Sequence, residues 1–361
     1  MTRSPIRFGL PVAALLLACT AACGTNSLAT LSDNAPNPGT IGISMPTKTE
    51  QRWIADGDNM VKQFQALGYG TDIQYTEKDA QQQAQQLNAM IDRGDKALVI
   101  GAVDGTVLKD ALKKAHDKGI PVISYDRLIR GSADVDYYCS FDNFKVGVLQ
   151  ATTIVNHLGL KNTSKTFNIE LFAGSGDDNN ATFFFNGAMS VLKPYIKSGT
   201  LVVPSGETSF TEVATAGWDG KVAAARMAKL LAGADSGVKL DAVLSPNDGI
   251  GRALIGALKE GGYSKLPVIT GQDAELDSVK LVNQGVQTQT VYKDTRELAK
   301  VAVQMTNKIL SGQKPDINDT TTYNNGVSVI PSFLLQPVSV EKANLVSVLV
   351  DGGYYSKADL S

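Results

Sequence analysis

Cysteine, histidine and tryptophan are scarce in this 361-residue chain, which holds three, two and two of them. Cys19 and Cys23 fall in the first two dozen residues, so the rest of the chain has only Cys139 and no internal disulfide is available to it. With only His116 and His157 there is no histidine-rich metal site, and zinc-ligand spacings are missing. Neither sign of charge dominates. The 34 basic and 36 acidic residues leave a net charge of -2, which excludes the basic footprint of a nucleic-acid partner. Catalytic signatures are absent too. Gly174-Ser175-Gly176 misplaces serine for a nucleophile elbow, and Gly249-Ile250-Gly251 with Gly256 misplaces the third glycine of a dinucleotide turn. The sequence therefore predicts no enzyme, no cofactor and no metal.

The N-terminus also lacks a bilayer-spanning run. Arg3 and Arg7 precede the apolar stretch Phe8–Ala18, which is too short to cross a membrane. Thr20, Ala21 and Ala22 then lead to Cys23. This pattern resembles bacterial lipoproteins, in which the cysteine after cleavage is acylated. Leu17-Ala18-Cys19 offers a competing site, and an uncleaved anchor is the remaining alternative. The reading is a signal peptide with lipobox over 1–23, a flexible tether over 24–39, and an exported fold anchored to the cell membrane by lipid. Such an anchor suits a single-membrane bacterium, where an untethered receptor diffuses away.

What is present from Thr40 onward is an alternation of short apolar runs and helical periods. Strands are expected at Thr40–Met45, Asp72–Tyr75, Ala97–Val103 and Ile120–Tyr125, with helices between them. The rhythm restarts with a helix at Phe144–Leu158. Strands follow at Phe167–Phe172, Leu201–Val203, Ala242–Leu244, Val268–Thr270 and Thr288–Tyr292. Continuous apolarity marks strands covered on both faces, so each series is a doubly wound α/β lobe with a parallel sheet. One more helix, Glu297–Leu310, and a strand at Val327–Leu335 imply that the chain returns to the first lobe and crosses again. The expected lobes are 40–141 with 294–331, and 142–293 with 332–361.

Ligands of such sheets sit beyond the carboxyl ends of the strands. Those ends carry Gln51-Arg52-Trp53, Tyr125-Asp126-Arg127, Gly174 through Asn180, Ser245-Pro246-Asn247-Asp248, Gly271-Gln272-Asp273 and Tyr292-Lys293-Asp294. Carboxylates, amides and cationic forks suit a polyol, whose hydroxyls both donate and accept. Aromatic faces cover a sugar's C–H faces, and Trp53 and Trp218 are the only tryptophans. Plainer roles are open to each residue. Asp126-Arg127 suits a structural ion pair, Asp248 and Asp273 suit helix caps, and Asn179-Asn180 suits a turn or a cap. The tryptophans suit a core, and His116 suits a solvated helix end.

Gln51-Arg52-Trp53, Ile123-Ser124-Tyr125-Asp126-Arg127, Asp178-Asn179-Asn180-Ala181, Gly271-Gln272-Asp273-Ala274-Glu275 and Thr290-Val291-Tyr292-Lys293 together resemble periplasmic sugar-binding proteins of ABC importers, in their xylose-binding and multiple-sugar branch. Phe141 through Ala151, Lys293 through Lys300 and Leu349 through Tyr355 extend the resemblance across everything after the tether. It implies a type I periplasmic-binding-protein fold with a three-crossover hinge and a monosaccharide held between the lobes. By matching motif, Arg52, Trp53, Asp126 and Arg127 contact sugar from the first lobe, and Asp178, Asn180, Asn247, Asp273 and Lys293 from the second. Trp218 would complete a stacking sandwich with Trp53. At position 247 the chain carries Asn, as the xylose-binding branch does. The implied protein is a monomer that delivers xylose, glucose, galactose or arabinose to an ABC permease and ATPase. The alternative is a receptor presenting its sugar to a membrane sensor kinase or chemoreceptor.

Overall fold

The computed structural model describes residues 38–360, so the expected signal segment, with Cys19 and Cys23, lies outside the described residues. The first half runs β1 (Thr40–Met45), α1 (Gln51–Ala66), β2 (Gly70–Tyr75), α2 (Ala80–Arg93), β3 (Ala97–Ile100), α3 (Lys109–Asp117), β4 (Val122–Tyr125) and β5 (Tyr137–Phe141). The second half runs α4 (Asn143–Leu158), β6 (Phe167–Leu171), α5 (Asn179–Ser198), β7 (Leu201–Val202), α6 (Phe210–Val213), α7 (Gly220–Ala232), β8 (Ala242–Leu244), α8 (Asp248–Glu260), β9 (Val268–Ile269), α9 (Leu276–Gln284) and β10 (Gln289–Tyr292). Then come α10 (Thr295–Leu310), β11 (Ser332–Leu335) and β12 (Val338–Glu341).

The fold is α/β with two lobes. The first sheet has the order β11-β5-β4-β3-β1-β2, and the second β7-β6-β8-β9. Pairing within both is parallel. Ile41, Ile43, Val99 and Ile123 face α1 and α10, while Leu98, Ile100 and Val122 face α2 and α3. Two covered faces are the reason these strands read as unbroken apolar runs. β10 pairs antiparallel with β12, and Thr288 N–H donates to the Ile269 carbonyl, which ties this ribbon to the second sheet.

Two expectations need correction. Ser332–Leu335 pairs with β5 in the first sheet, so the last crossover falls after Leu335, not at the 331/332 boundary, and residues 327–331 are outside the strand. The polar sequence around Asn318 and Asp319, which bonds to Ser332 and Leu334, shapes this edge without any apolar periodicity. Strand β5 was also not expected. Its Tyr-Tyr-Cys-Ser-Phe run does not alternate, because Ser140 is buried by donating to the Asp126 carbonyl.

In the second lobe α4 and α5 cross at van der Waals distance. A Cβ on Gly147 would lie 1.8 Å from the Phe184 carbonyl oxygen, and one on Gly187 would lie 2.0 Å from that of Phe144. Backbone cannot move aside as a side-chain tip can. Gly147→Val is therefore expected to destabilise the protein by about 3 kcal/mol in urea unfolding; a loss under about 1 kcal/mol would contradict this packing.

Candidate functional site

The residues at the strand ends come together. Arg52, Trp53, Asp126, Arg127, Asp178, Asn180, Trp218, Asn247, Asp273 and Lys293 all line one narrow cavity. Local structure sets each of them. Arg52 and Trp53 occupy the first turn of α1. Asp178 caps α5 by accepting from Asn180 N–H, and Asn247 caps α8 by accepting from Ile250 N–H. Capping and a place in the cavity thus coincide for these two, neither of which was expected as a cap. Asp248 is not a cap; it lies fully buried in the first turn of α8. Glu275, not Asp273, precedes α9. His116 lies on an exposed helix end, as expected.

Three of the ten carry positive φ without being glycine: Asp126 at 60°, Trp218 at 56° and Asp273 at 93°. This conformation is unfavourable unless the surroundings enforce it. At Asp126 the enforcement is visible, because its carbonyl accepts from the Tyr138 hydroxyl (2.5 Å), the Asn180 amide (2.7 Å) and the Ser140 hydroxyl (2.9 Å). At Trp218 the ring lies over Gly174, where a Cβ would sit 2.1 Å from it.

The charges are buried and balanced. Arg52, only 6% exposed, bonds Asp56 at 2.8 Å and Asp126 at 2.9 Å within its own lobe, and reaches Asp273 of the other lobe at 3.4 Å. Lys293 bonds Asp273 at 2.8 Å, and Arg127 bonds Asp178 at 3.1 Å. Asp126 and Arg127 are thus not a pair with each other; each has a different partner. Burial alone would push the Asp126 carboxyl up, but Arg52, Lys293 and Arg127 together outweigh it and hold it below the usual range. Burial raises Asp178, with Arg127 opposing. Three cations meet four carboxylates on the wall, and the fourth, Glu50, is paired at the rim with Lys78, so the charges balance and the cavity asks for a ligand without net charge. The Glu50–Lys78 distance is 3.1 Å. Lys78 also donates across the lobes to the Gly217 carbonyl at 3.1 Å, and Arg130 does so to that of Asp177 at 3.1 Å.

Two buried polar atoms in this wall have no hydrogen-bond partner: the Trp218 indole N–H and the Gln272 amide oxygen. One donates and the other accepts, which is what a hydroxyl-bearing ligand needs. Asn180 by contrast is largely occupied, since its oxygen accepts from the Asn143 amide and its own amide donates to the Asp126 carbonyl. Trp53 lies under the guanidinium groups of Arg52 (4.4 Å) and Arg127 (5.2 Å), and Trp218 packs edgewise on Phe184 at 6.3 Å. Glu50, Phe184 and Gln272 line the cavity but were not among the expected residues. Phe184 stands one helical turn after Asn180, a spacing the sequence does offer. Among the described residues no group of His, Cys, Asp and Glu is placed to hold a metal, and no helix is long and apolar enough to cross a membrane.

Asp56, behind Arg52, is pushed up to about 6 by burial, which Arg52 offsets only in part. A raised carboxyl pKa means the folded chain holds this proton more tightly than the unfolded one. Its stabilising contribution is full below about pH 4 and is lost as pH rises through about 6. Asp56→Asn has no such titration. Its stability relative to the native sequence should therefore improve on the order of 2 kcal/mol from pH 4.5 to 7.5 in urea unfolding, and a constant difference would contradict the assignment.

The chain matches the family described as "Periplasmic binding protein domain" over residues 41–314. It is 57% identical over 329 residues to the multiple sugar-binding periplasmic receptor ChvE of Rhizobium radiobacter, covering 90% of this chain and 93% of that one. It is 37% identical over 320 residues to the D-xylose-binding periplasmic protein of Escherichia coli, covering 89% and 92%. Among solved structures, an ABC transporter solute-binding protein from Clostridium phytofermentans with bound β-D-glucose superposes with a TM-score of 0.87 at 44% identity, covering 89% of this chain and 100% of that one.

Proposed function

This chain belongs to the periplasmic binding protein family, in its sugar-binding branch, and we propose on that premise that it captures a neutral monosaccharide of the glucose or xylose type between its lobes. It is the extracytoplasmic solute-binding component of an ABC sugar importer and carries out no catalysis. The observation that supports the sugar reading most is the wall of this cavity. It combines three cations and four carboxylates, aromatic rings, and an indole N–H and an amide oxygen that are buried and unpaired. A hydroxyl both donates and accepts and so suits either kind of atom, whereas a ligand lacking hydroxyls leaves both unpaired. The glucose bound by the 44%-identical relative is of the same class.

In this reading Asp126, Asp178 and Asp273 accept from sugar hydroxyls, while Arg52, Arg127, Lys293, Asn180 and Asn247 donate to them. Trp53, Trp218 and Phe184 cover the C–H faces. The lobes, 40–141 with 294–335 and 142–293 with 338–360, pivot at the three crossovers. Sugar populates the closed arrangement because only there do both lobes bond it. The permease then reads the closed surface. Acylation of Cys23, with Cys19 as the competing position, tethers the receptor to the membrane so that it stays beside its transporter.

Calorimetry of the purified protein should give single-site binding of D-glucose or D-xylose, and Trp218→Ala should weaken it at least about fivefold through lost stacking. An affinity within twofold of the native one would remove Trp218 from the site. For the anchor, Cys23→Ser is expected to move the protein from the membrane fraction to the soluble fraction. Retention of that variant in the membrane, with release of Cys19→Ser instead, would transfer the assignment to Cys19.

A further inference from the structure

Asp273 is the carboxylate on which Arg52 and Lys293 meet, and its backbone is under strain. Asp273 (φ 93°) and the buried Ala274 (φ 47°) stand in succession at positive φ, and neither is glycine. A turn of that kind keeps its shape only while its amides and carbonyls are held. From within the lobe, Asp273 N–H donates to the Val291 carbonyl at 2.8 Å, Ala274 N–H to the Thr290 hydroxyl at 3.1 Å, and Glu275 N–H to the Asp248 carboxylate at 2.9 Å. The Ala274 carbonyl is held from elsewhere. It accepts from the phenol of Tyr355 at 2.9 Å, some 80 residues further along the chain.

Tyr355 belongs to the C-terminal Asp351-Gly352-Gly353-Tyr354-Tyr355 segment, and the route of this segment is itself fixed. Arg296 grips Asp294 through two bonds, at 2.9 and 2.7 Å, and reaches the Tyr292 hydroxyl at 3.2 Å. The same guanidinium donates to the carbonyls of Gly353 (2.6 Å) and Gly352 (3.1 Å). Gly352 allows no side chain, since a Cβ there would lie 2.3 Å from the Val348 carbonyl oxygen, and Gly353 has a φ of 69°. The rings of Tyr292, Tyr354 and Tyr355 then stack edge to face at 4.8 and 4.9 Å. One arginine thus joins the tail to the two residues that flank Lys293, and one phenol joins the tail to the residue after Asp273.

We propose that the C-terminal tail is a positioning element of the sugar site, with Tyr355 holding the Ala274 carbonyl so that the Asp273 carboxylate stays between Arg52 and Lys293. The proposal rests on the reading of the cavity as a sugar site. Tyr355 touches no sugar in it; it acts through Asp273. Removing its hydroxyl lets the strained turn relax and withdraws the carboxylate from both cations.

The test is calorimetry of Tyr355→Phe against D-glucose and D-xylose, with Tyr354→Phe as the companion on the same tail. Among the described residues the Tyr354 hydroxyl bonds only Thr295, at 3.3 Å. Tyr355→Phe should bind sugar about fivefold more weakly, as for loss of one buried hydrogen bond, while Tyr354→Phe stays within twofold. The sugar-free unfolding midpoint of Tyr355→Phe should stay within a few degrees of native. In an Asp273→Asn background Tyr355→Phe should have no further effect, because the group it positions is already gone. A full additional loss there, or an unchanged affinity of Tyr355→Phe in the native background, overturns the proposal while leaving the sugar site intact. Failure of the native protein to bind any of the sugars overturns the site reading, and the proposal falls with it. If Tyr355→Phe proves unstable, Arg296→Lys, which keeps the charge but loses the fork, should weaken sugar by the same route; unchanged affinity there is equally contrary.

Discussion

The guanidinium of Arg52 is withdrawn from water and shared among Asp56, Asp126 and Asp273, and the two lobes meet on it. A buried cation is tolerated only where several acceptors surround it, and removing one partner from such a group is more costly than the group's net contribution. Two of the three carboxylates come from its own lobe, so Arg52 remains compensated when the lobes separate. The third comes from the far lobe and is shared with Lys293. This asymmetry lets the site open without stranding a charge, and it still rewards closure. Burial works against both charges, but the attraction between Arg52 and its carboxylates outweighs it, keeping the arginine charged and Asp126 ionised.

Strain and close packing serve the same end. Asp126, Trp218 and Asp273 have backbones that their residue types disfavour, and each projects its side chain into the cavity. A carbonyl clasp fixes Asp126, Tyr355 holds the carbonyl of Ala274 next to Asp273, and the bare face of Gly174 admits the Trp218 ring. A sugar site needs such rigidity because selectivity among epimers comes from groups that cannot follow a misplaced hydroxyl. The hinge is made of the three crossovers, and two of the helices that follow them, α4 and α10, begin at the caps Asp142 and Asp294.

Much of this was legible in the chain itself. Thr40–Met45 and Ala242–Leu244 are strands with the expected bounds, since two-sided burial writes an unbroken apolar run. All ten expected site residues reach one cavity, because strand ends in a doubly wound sheet converge whatever the residues there. What escaped the reading was set by contacts distant in sequence. β5 is short and carries a buried serine, the start of β11, expected at Val327, is set at Ser332 by a partner strand almost 200 residues earlier, and Phe184 stands in a run of three phenylalanines of which only helix phase selects one. Asp56 is buried one turn after Arg52, and nothing in its neighbours announces that it would be.

The central claim is that a buried guanidinium fork joins both lobes around the sugar. The chain's two tryptophans both line the cavity, so intrinsic fluorescence reports its occupancy directly. Titration of Arg52→Lys with D-glucose and D-xylose should show at least a hundredfold weaker binding, since a point charge cannot replace the fork among three carboxylates. Binding by that variant within threefold of the native protein would contradict the account.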